Sequence, residues 1–335
     1  MIEANEQPER RDDSSEAAAG MDAKTEPETQ PEAATVPTVA AAANTVEPEA
    51  EPAWGTIAWQ GLPAPLHRLP NAADAMVFLL LLGMGLVAMI GMMALALKLH
   101  WFGWSDPTRL LTNTRVALGS QLGIYLLALA AALPIYQTMW GRSLMEGLQW
   151  RPGVAMQLAK WLLLVAVACD ALAALGNTLL PFPQHAPIDR MFSSASDAWL
   201  LFAFGITAAP FFEEMIFRGF LVPALATAWE WAAERVTGRE SRGVDAEGFP
   251  VWGTGAMIFA ALGASVPFAL MHGAQVSHAW GPLSLLYGVS LVLCAVRLKT
   301  RSLAASMVVH ASYNFLLFAA MLVQSDGFRH LERLQ

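Results

Sequence analysis

From Ala75 onward, long apolar runs alternate with short polar stretches, and the runs have the length scale of membrane-spanning helices. A bilayer core of about 30 Å is crossed by about 20 apolar residues in helical form. Seven runs read as candidates: Ala75–Leu97, Val116–Met139, Val154–Thr178, Ala198–Ala228, Val251–Met271, Pro282–Val296 and Ser302–Val323. The fourth is 31 residues long, too long for one straight span, and it holds Pro210. A break there into two helical pieces is expected, which leaves an eighth membrane segment open. The pattern therefore predicts an all-α fold, a polytopic transmembrane helical bundle of about 7–8 spans with a disordered acidic N-terminal tail.

Composition sharpens that picture. The 335 residues are 55% hydrophobic and 14% charged, with a net charge of -8. Residues 1–53 hold thirteen acids against Arg10, Arg11 and Lys24, about -10, which leaves the remaining 282 residues near +2. The acidity belongs to a tail rich in Glu, Pro, Ala and Thr, which has too little apolar surface to offset the entropy of ordering. It has no basic stretch followed by an apolar one, so it does not read as a secretory signal peptide. The body has no basic stripe to neutralise phosphates, which excludes nucleic acid as the expected partner. Cys169 and Cys294 lie within apolar runs, where neither a disulfide framework nor a cysteine-based zinc site is expected.

In a seven-span topology the side holding the N-terminus carries Arg68, Arg142, Arg151, Arg235, Arg239, Arg242, Arg297, Lys299 and Arg301. The other side carries Lys98, Arg109, Arg115, Arg190, Arg329 and Arg333. The excess predicts a cytoplasmic N-terminus by the positive-inside rule.

Ionisable side chains are costly in hydrocarbon, so each one within a span is a functional candidate. They are Lys160, Asp170, Glu213, Glu214, Arg218, His272 and His310, with Asn314 as a polar companion. On a helix, Glu214 and Arg218 are four apart and share a face, which suits a charge-assisted pair. Glu213 is rotated about 100° away and has no such partner within the turn. The asymmetry predicts a division of labour in which Glu214 orients and Glu213 faces a cavity as a general base. A purely structural ion-pair network is the alternative for this segment alone.

Phe268-Ala-Leu-Met-His272 and His310-Ala-Ser-Tyr-Asn314 add two histidines and an amide on two further spans. Together these groups supply what water-mediated amide hydrolysis needs. A carboxylate takes the proton from water, a histidine positions the water or donates to the leaving amine, and a His/Asn pair stabilises the oxyanion. His100, His185, His278 and His330 lie at or outside span ends and are set aside. The same donors could hold Zn²⁺. No His-Glu-x-x-His helix is present, however, so metal-free catalysis with no cofactor is preferred and zinc is left open.

Glu213-Glu214-x-x-x-Arg218, Phe268-x-x-x-His272 and His310-x-x-x-Asn314, in that order on successive apolar spans, resemble the CPBP family of intramembrane proteases. That family includes the type II CAAX prenyl endopeptidases and the bacterial Abi proteins. The resemblance covers roughly Phe204 to Phe318. It implies a glutamate-type endopeptidase with catalytic residues Glu213, Glu214, Arg218, His272, His310 and Asn314. It also implies a peptide or protein substrate, lipidated in the CAAX members, within membrane lipid, and a location in a bacterial inner membrane. The corresponding division is a tail (1–53), N-terminal transmembrane helices (54–197), a catalytic core (198–323) and a C-terminal tail (324–335).

Two other readings compete: a non-catalytic membrane adaptor or immunity protein, and a proton-coupled transporter using Glu213, Asp170 and the histidines. Depth raises a further question. At about 1.5 Å per residue, His272 lies about 32 Å from Val251, whereas His310 lies about 12 Å beyond Ser302. A shared site requires a boundary to shift, or His272 to sit at a helix end inside a cavity.

Overall fold

The computed structural model describes residues 69–334 apart from 104–105, 182, 184–186 and 247. The expected disordered tail, residues 1–53, and His185 lie outside the described residues. Among the described residues the chain is helical with no strands, and seven helical stretches are long and apolar enough to cross a membrane. They are α1 (Ala72–Lys98), α2 (Thr114–Trp140), α3 (Ala159–Leu179), the broken fourth stretch Ala195–Thr237, and three more. The fourth comprises α4 (Ala195–Ile206), α5 (Ala208–Glu214), a π-helical segment Met215–Leu221 and α6 (Val222–Thr237). Then come α7 (Thr254–Met271), α8 (Trp280–Thr300) and α9 (Leu303–Gln324). The chain is an integral membrane protein.

Several boundaries depart from expectation for local reasons. The fourth stretch breaks at Thr207 rather than at Pro210. Pro210 has no N–H to donate and its ring crowds the carbonyl four residues back, that of Ile206, so the helix stops there. Pro210 itself falls in the first turn of α5, where a missing N–H leaves no bond unmade. The third run divides into a short helix Pro152–Gln157 and α3, with Leu158 at the junction. The fifth starts at Thr254, because residues before it form a turn closed by an antiparallel bridge between Val244 and Pro250. The sixth is longer than expected, since Pro282 sits in its first turn and helical geometry continues through Arg297 and Lys299.

Three apolar clusters hold the bundle together. Where α1 and α2 meet the π segment, Phe78 stacks on Phe220 with ring centroids 4.6 Å apart, and Tyr136 lies 5.2 Å from the same ring. The start of α1 is fixed by a reciprocal cap in which Asn71 Oδ1 accepts from Asp74 N and Asp74 Oδ2 accepts from Asn71 N. Asp74 is fully buried. Trp140 Nε1 donates to its side chain, and Tyr136 Oη donates to its carbonyl at 2.6 Å. A second cluster joins α3, α8 and α9. The third is built mainly of small residues, with Ala226 on α6 against Ala256, Ala260 and Ala264 on α7, which permits close helix approach. Large apolar side chains such as Leu80, Met84 and Val87 project outward, as a lipid-facing surface requires.

Candidate active site

The break at Thr207 and the π segment bracket the acidic pair at the end of α5. Phe212 stacks on Tyr125 of α2 at 4.4 Å and Phe211 meets Trp150 edge-on at 5.6 Å, so the residues just before Glu213 are clamped from two sides. Glu214 is fully buried. One oxygen, Oε1, lies 3.0 Å from Arg218 Nη1 and 3.0 Å from His310 Nδ1. Arg218 is also fully buried and donates through Nη2 to the carbonyl and the hydroxyl of Ser290, at 3.1 and 2.8 Å. Ser290 Oγ in turn donates to Ser265 Oγ. The guanidinium also stands 4.4 Å over the ring of Phe268, a cation–π contact.

Glu213 is separate from that network. Its Oε2 lies 3.7 Å from His310 Nε2 and 3.9 Å from His272 Nε2, beyond hydrogen-bond range of both. Each ring is held by its other nitrogen. His310 Nδ1 faces Glu214, an acceptor when ionised, and His272 Nδ1 stands 2.8 Å from the carbonyl of Phe268. In the neutral tautomers these bonds imply, both Nε2 atoms are acceptors and lie within 4 Å of Glu213 Oε2. Three acceptor groups thus converge on one small volume, an arrangement that a hydrogen-donating molecule can bridge. Among the described residues, no group of three or more His, Cys, Asp or Glu side chains has metal-holding geometry.

His272 caps the C-terminal end of α7 and a 3₁₀ turn, Gly273–Val276, follows it. The helix therefore ends at the level of His310, seven residues after Leu303 at the start of α9. Of the two solutions to the depth question, a helix end beside a cavity is the one observed. That cavity, about 300 Å³, is bordered by Glu213, His272, His310 and Asn314, with Gln121 and Gln275 also at its wall. Apart from Tyr313, its remaining lining is apolar, including Leu201, Phe204 and Phe318.

Asn314 borders the same cavity, but its Nδ2 donates to the carbonyl of Gly205 at 2.7 Å. Gly205 lies next to the α4 break, where its carbonyl loses regular helical company, so Asn314 ties α9 to that break. Lys160 and Asp170 do not join the cluster. Lys160 is exposed in the first turn of α3, and Asp170 is half-buried on the same helix, outside the cavity lining. His278 is exposed, with its ring against Gly273.

Ser265, Ser290 and Arg297 escaped the sequence reading. Arg297 was counted with the loop cations, yet it is buried, donating through Nε to the carbonyl of Arg218 at 3.2 Å and through Nη2 to that of Leu148 at 3.4 Å. It therefore drops out of the charge tally behind the predicted orientation. A usable signal existed: Ser290 and Arg297 are seven apart and share one face of α8.

Residues 195–316 match a family model described as Rce1-like, type II CAAX prenyl endopeptidase Rce1-like. That match supports membership of the CPBP family for these residues. The match spans the whole broken fourth stretch and ends just past Asn314, so it contains every residue of the cluster. No curated protein and no solved structure matches the chain. The match supports CAAX-type membrane protease activity in general outline.

Proposed function

We propose that this CPBP protein is a glutamate-type intramembrane endopeptidase that hydrolyses a peptide bond of a membrane-anchored, lipidated substrate without a metal. The observation that carries this reading is the approach of Glu213 Oε2 to within 3.7 and 3.9 Å of two imidazole Nε2 atoms at a cavity wall. A water held among these groups donates one hydrogen to Glu213 and a second to an imidazole. Glu213 removes the proton as the water oxygen attacks the carbonyl carbon, and the same carboxyl delivers that proton to the leaving amine. His310, held at Nδ1 by the Glu214 carboxylate, presents its Nε2 to that water from one side. Arg218, held by Ser290, pairs with Glu214 and keeps it in position. His272, anchored by the Phe268 carbonyl, orients the water from the other side.

The apolar remainder of the cavity supports a lipidated substrate, and the matched family's printed description, a CAAX prenyl endopeptidase, points to a prenyl group. A bacterial inner membrane and a cytoplasmic N-terminus complete the proposal. The test uses detergent-purified protein and a farnesylated peptide ending in a CAAX sequence, with release of the three terminal residues followed by mass spectrometry. Cleavage that persists in EDTA and vanishes in Glu213→Gln is the expected result. Loss of cleavage in EDTA with recovery on adding Zn²⁺ would transfer water activation to a metal, and full activity of Glu213→Gln would overturn the glutamate mechanism.

A further inference from the structure

The π-helical segment Met215–Leu221 has an unmet backbone acceptor, and its solution lies on another helix. In an α-helix the carbonyl of Arg218 accepts from the N–H of residue 222. Here the Val222 N–H goes to the carbonyl of Phe217, one residue earlier, as π register requires. The next donor for the Arg218 carbonyl in that register is residue 223, and Pro223 has no N–H. In a membrane interior an orphaned carbonyl is not tolerated. Arg297 of α8 fills the place: its Nε donates to the Arg218 carbonyl at 3.2 Å, and its Nη2 reaches the Leu148 carbonyl at 3.4 Å. Arg297 is buried, and it borders a small cavity of about 150 Å³ beside Val222 and Pro223.

We propose that Arg297 is a positioning residue that maintains the π register of Met215–Leu221 by standing in for the backbone donor that Pro223 lacks. The register determines where the Arg218 side chain emerges relative to Glu214 and Ser290, and hence where Glu214 meets His310. Its consequence for catalysis rests on the proteolytic reading above; its consequence for the backbone does not. Substrate contacts are not involved, so the loss should fall on kcat and not on KM.

The experiment combines Arg297→Met with Pro223→Ala, which returns an N–H to position 223. Against the farnesylated peptide, Arg297→Met should lower kcat by about 100-fold, the scale of a misplaced catalytic group, with KM within about twofold. Pro223→Ala alone should be near wild type, and Pro223→Ala/Arg297→Met should recover at least about tenfold of the loss. A side chain that merely supports the bundle would gain nothing from a backbone N–H at position 223. In parallel, hydrogen exchange of residues 215–224 is followed by mass spectrometry. It should accelerate in Arg297→Met and return toward wild type in the double variant. If Arg297→Met does not accumulate, Arg297→Lys with and without Pro223→Ala carries the same comparison, since lysine reaches only one of the two carbonyls. Unchanged exchange in the single variant, or no recovery in the double, would overturn the role. If the wild type cleaves nothing, the proteolytic reading fails and the exchange result decides the proposal by itself.

Discussion

Replacing Glu214 by Gln separates the two adjacent acids more sharply than any change at the water site. The substitution keeps the side-chain shape and removes one charge, leaving the Arg218 guanidinium fully buried without its counterion. At the observed 3.0 Å and an effective dielectric constant near 20, the lost attraction is about 5 kcal/mol. The two bonds from Arg218 to Ser290 and the ring of Phe268 remain and soften that loss. A destabilisation of about 3–5 kcal/mol is expected, the range found when one partner of a buried pair is removed. For a bundle of this size that lowers the thermal midpoint by roughly 5–9 °C. Glu213→Gln should move it by no more than about 2 °C, because among the described residues Glu213 has no guanidinium or ammonium partner and stands 3.7 and 3.9 Å from two imidazole nitrogens. Thermal unfolding in one detergent, monitored by circular dichroism or a thiol-reactive dye, reads both variants side by side. A double variant, Glu214→Gln/Arg218→Met, should recover part of the loss, since it removes the uncompensated charge. Equal midpoints for the two Gln variants would refute the division between an orienting and a reacting acid.

Glu213→Gln should lower kcat for the farnesylated peptide by about 10³-fold or more while leaving the protein folded, which steady-state kinetics alongside the thermal scan would establish. Asn314→Ala leaves the Gly205 carbonyl without its donor and should destabilise by about 1–3 kcal/mol; accelerated exchange of the amides at the Thr207 break would check it. Gly281→Ala should be severely destabilising, because its Cβ would collide with the Pro181 carbonyl oxygen, a backbone atom. Gly83→Ala, with nothing within 4 Å of the added carbon, should be neutral or slightly stabilising in the same thermal assay.

Much of the bundle was legible because the apolar runs are long and their chemistry is uniform. The polar cluster was legible because glutamates and histidines are so poorly suited to hydrocarbon that few candidates existed. Helix ends were harder to read. Arg297 looked like a loop cation because Lys299 and Arg301 follow it, yet one further turn of helix carries it into the interior. Ser265 and Ser290 are too weakly polar to stand out in an apolar run, and they acquire meaning only once Arg218 lies between α7 and α8. Asn314 was expected to partner His310 one turn away, but it bonds a carbonyl freed by a helix break that a run-length reading could not place.

The irregular backbone of the core is concentrated around the same few residues. The Thr207 break, the π segment at Met215–Leu221 and the termination of α7 at His272 all border the cluster or its cavity. In hydrocarbon each irregularity exposes backbone groups that must find partners, and here the partners are side chains. Asn314 serves the first and Arg297 the second. Regular α-helices would satisfy their own backbones and need neither residue, but a continuous helix through Thr207 and Met271 would move Glu213 and His272 away from a common level. The polar residues of the core thus divide by what they compensate. Glu213 stands 3.7 and 3.9 Å from the Nε2 atoms of His310 and His272, while Asn314, Arg297 and the Glu214–Arg218–Ser290 chain hold the distorted backbone that brings them there. Substitutions in the second group should therefore raise backbone exchange and lower activity together, whereas substitutions in the first should lower activity alone.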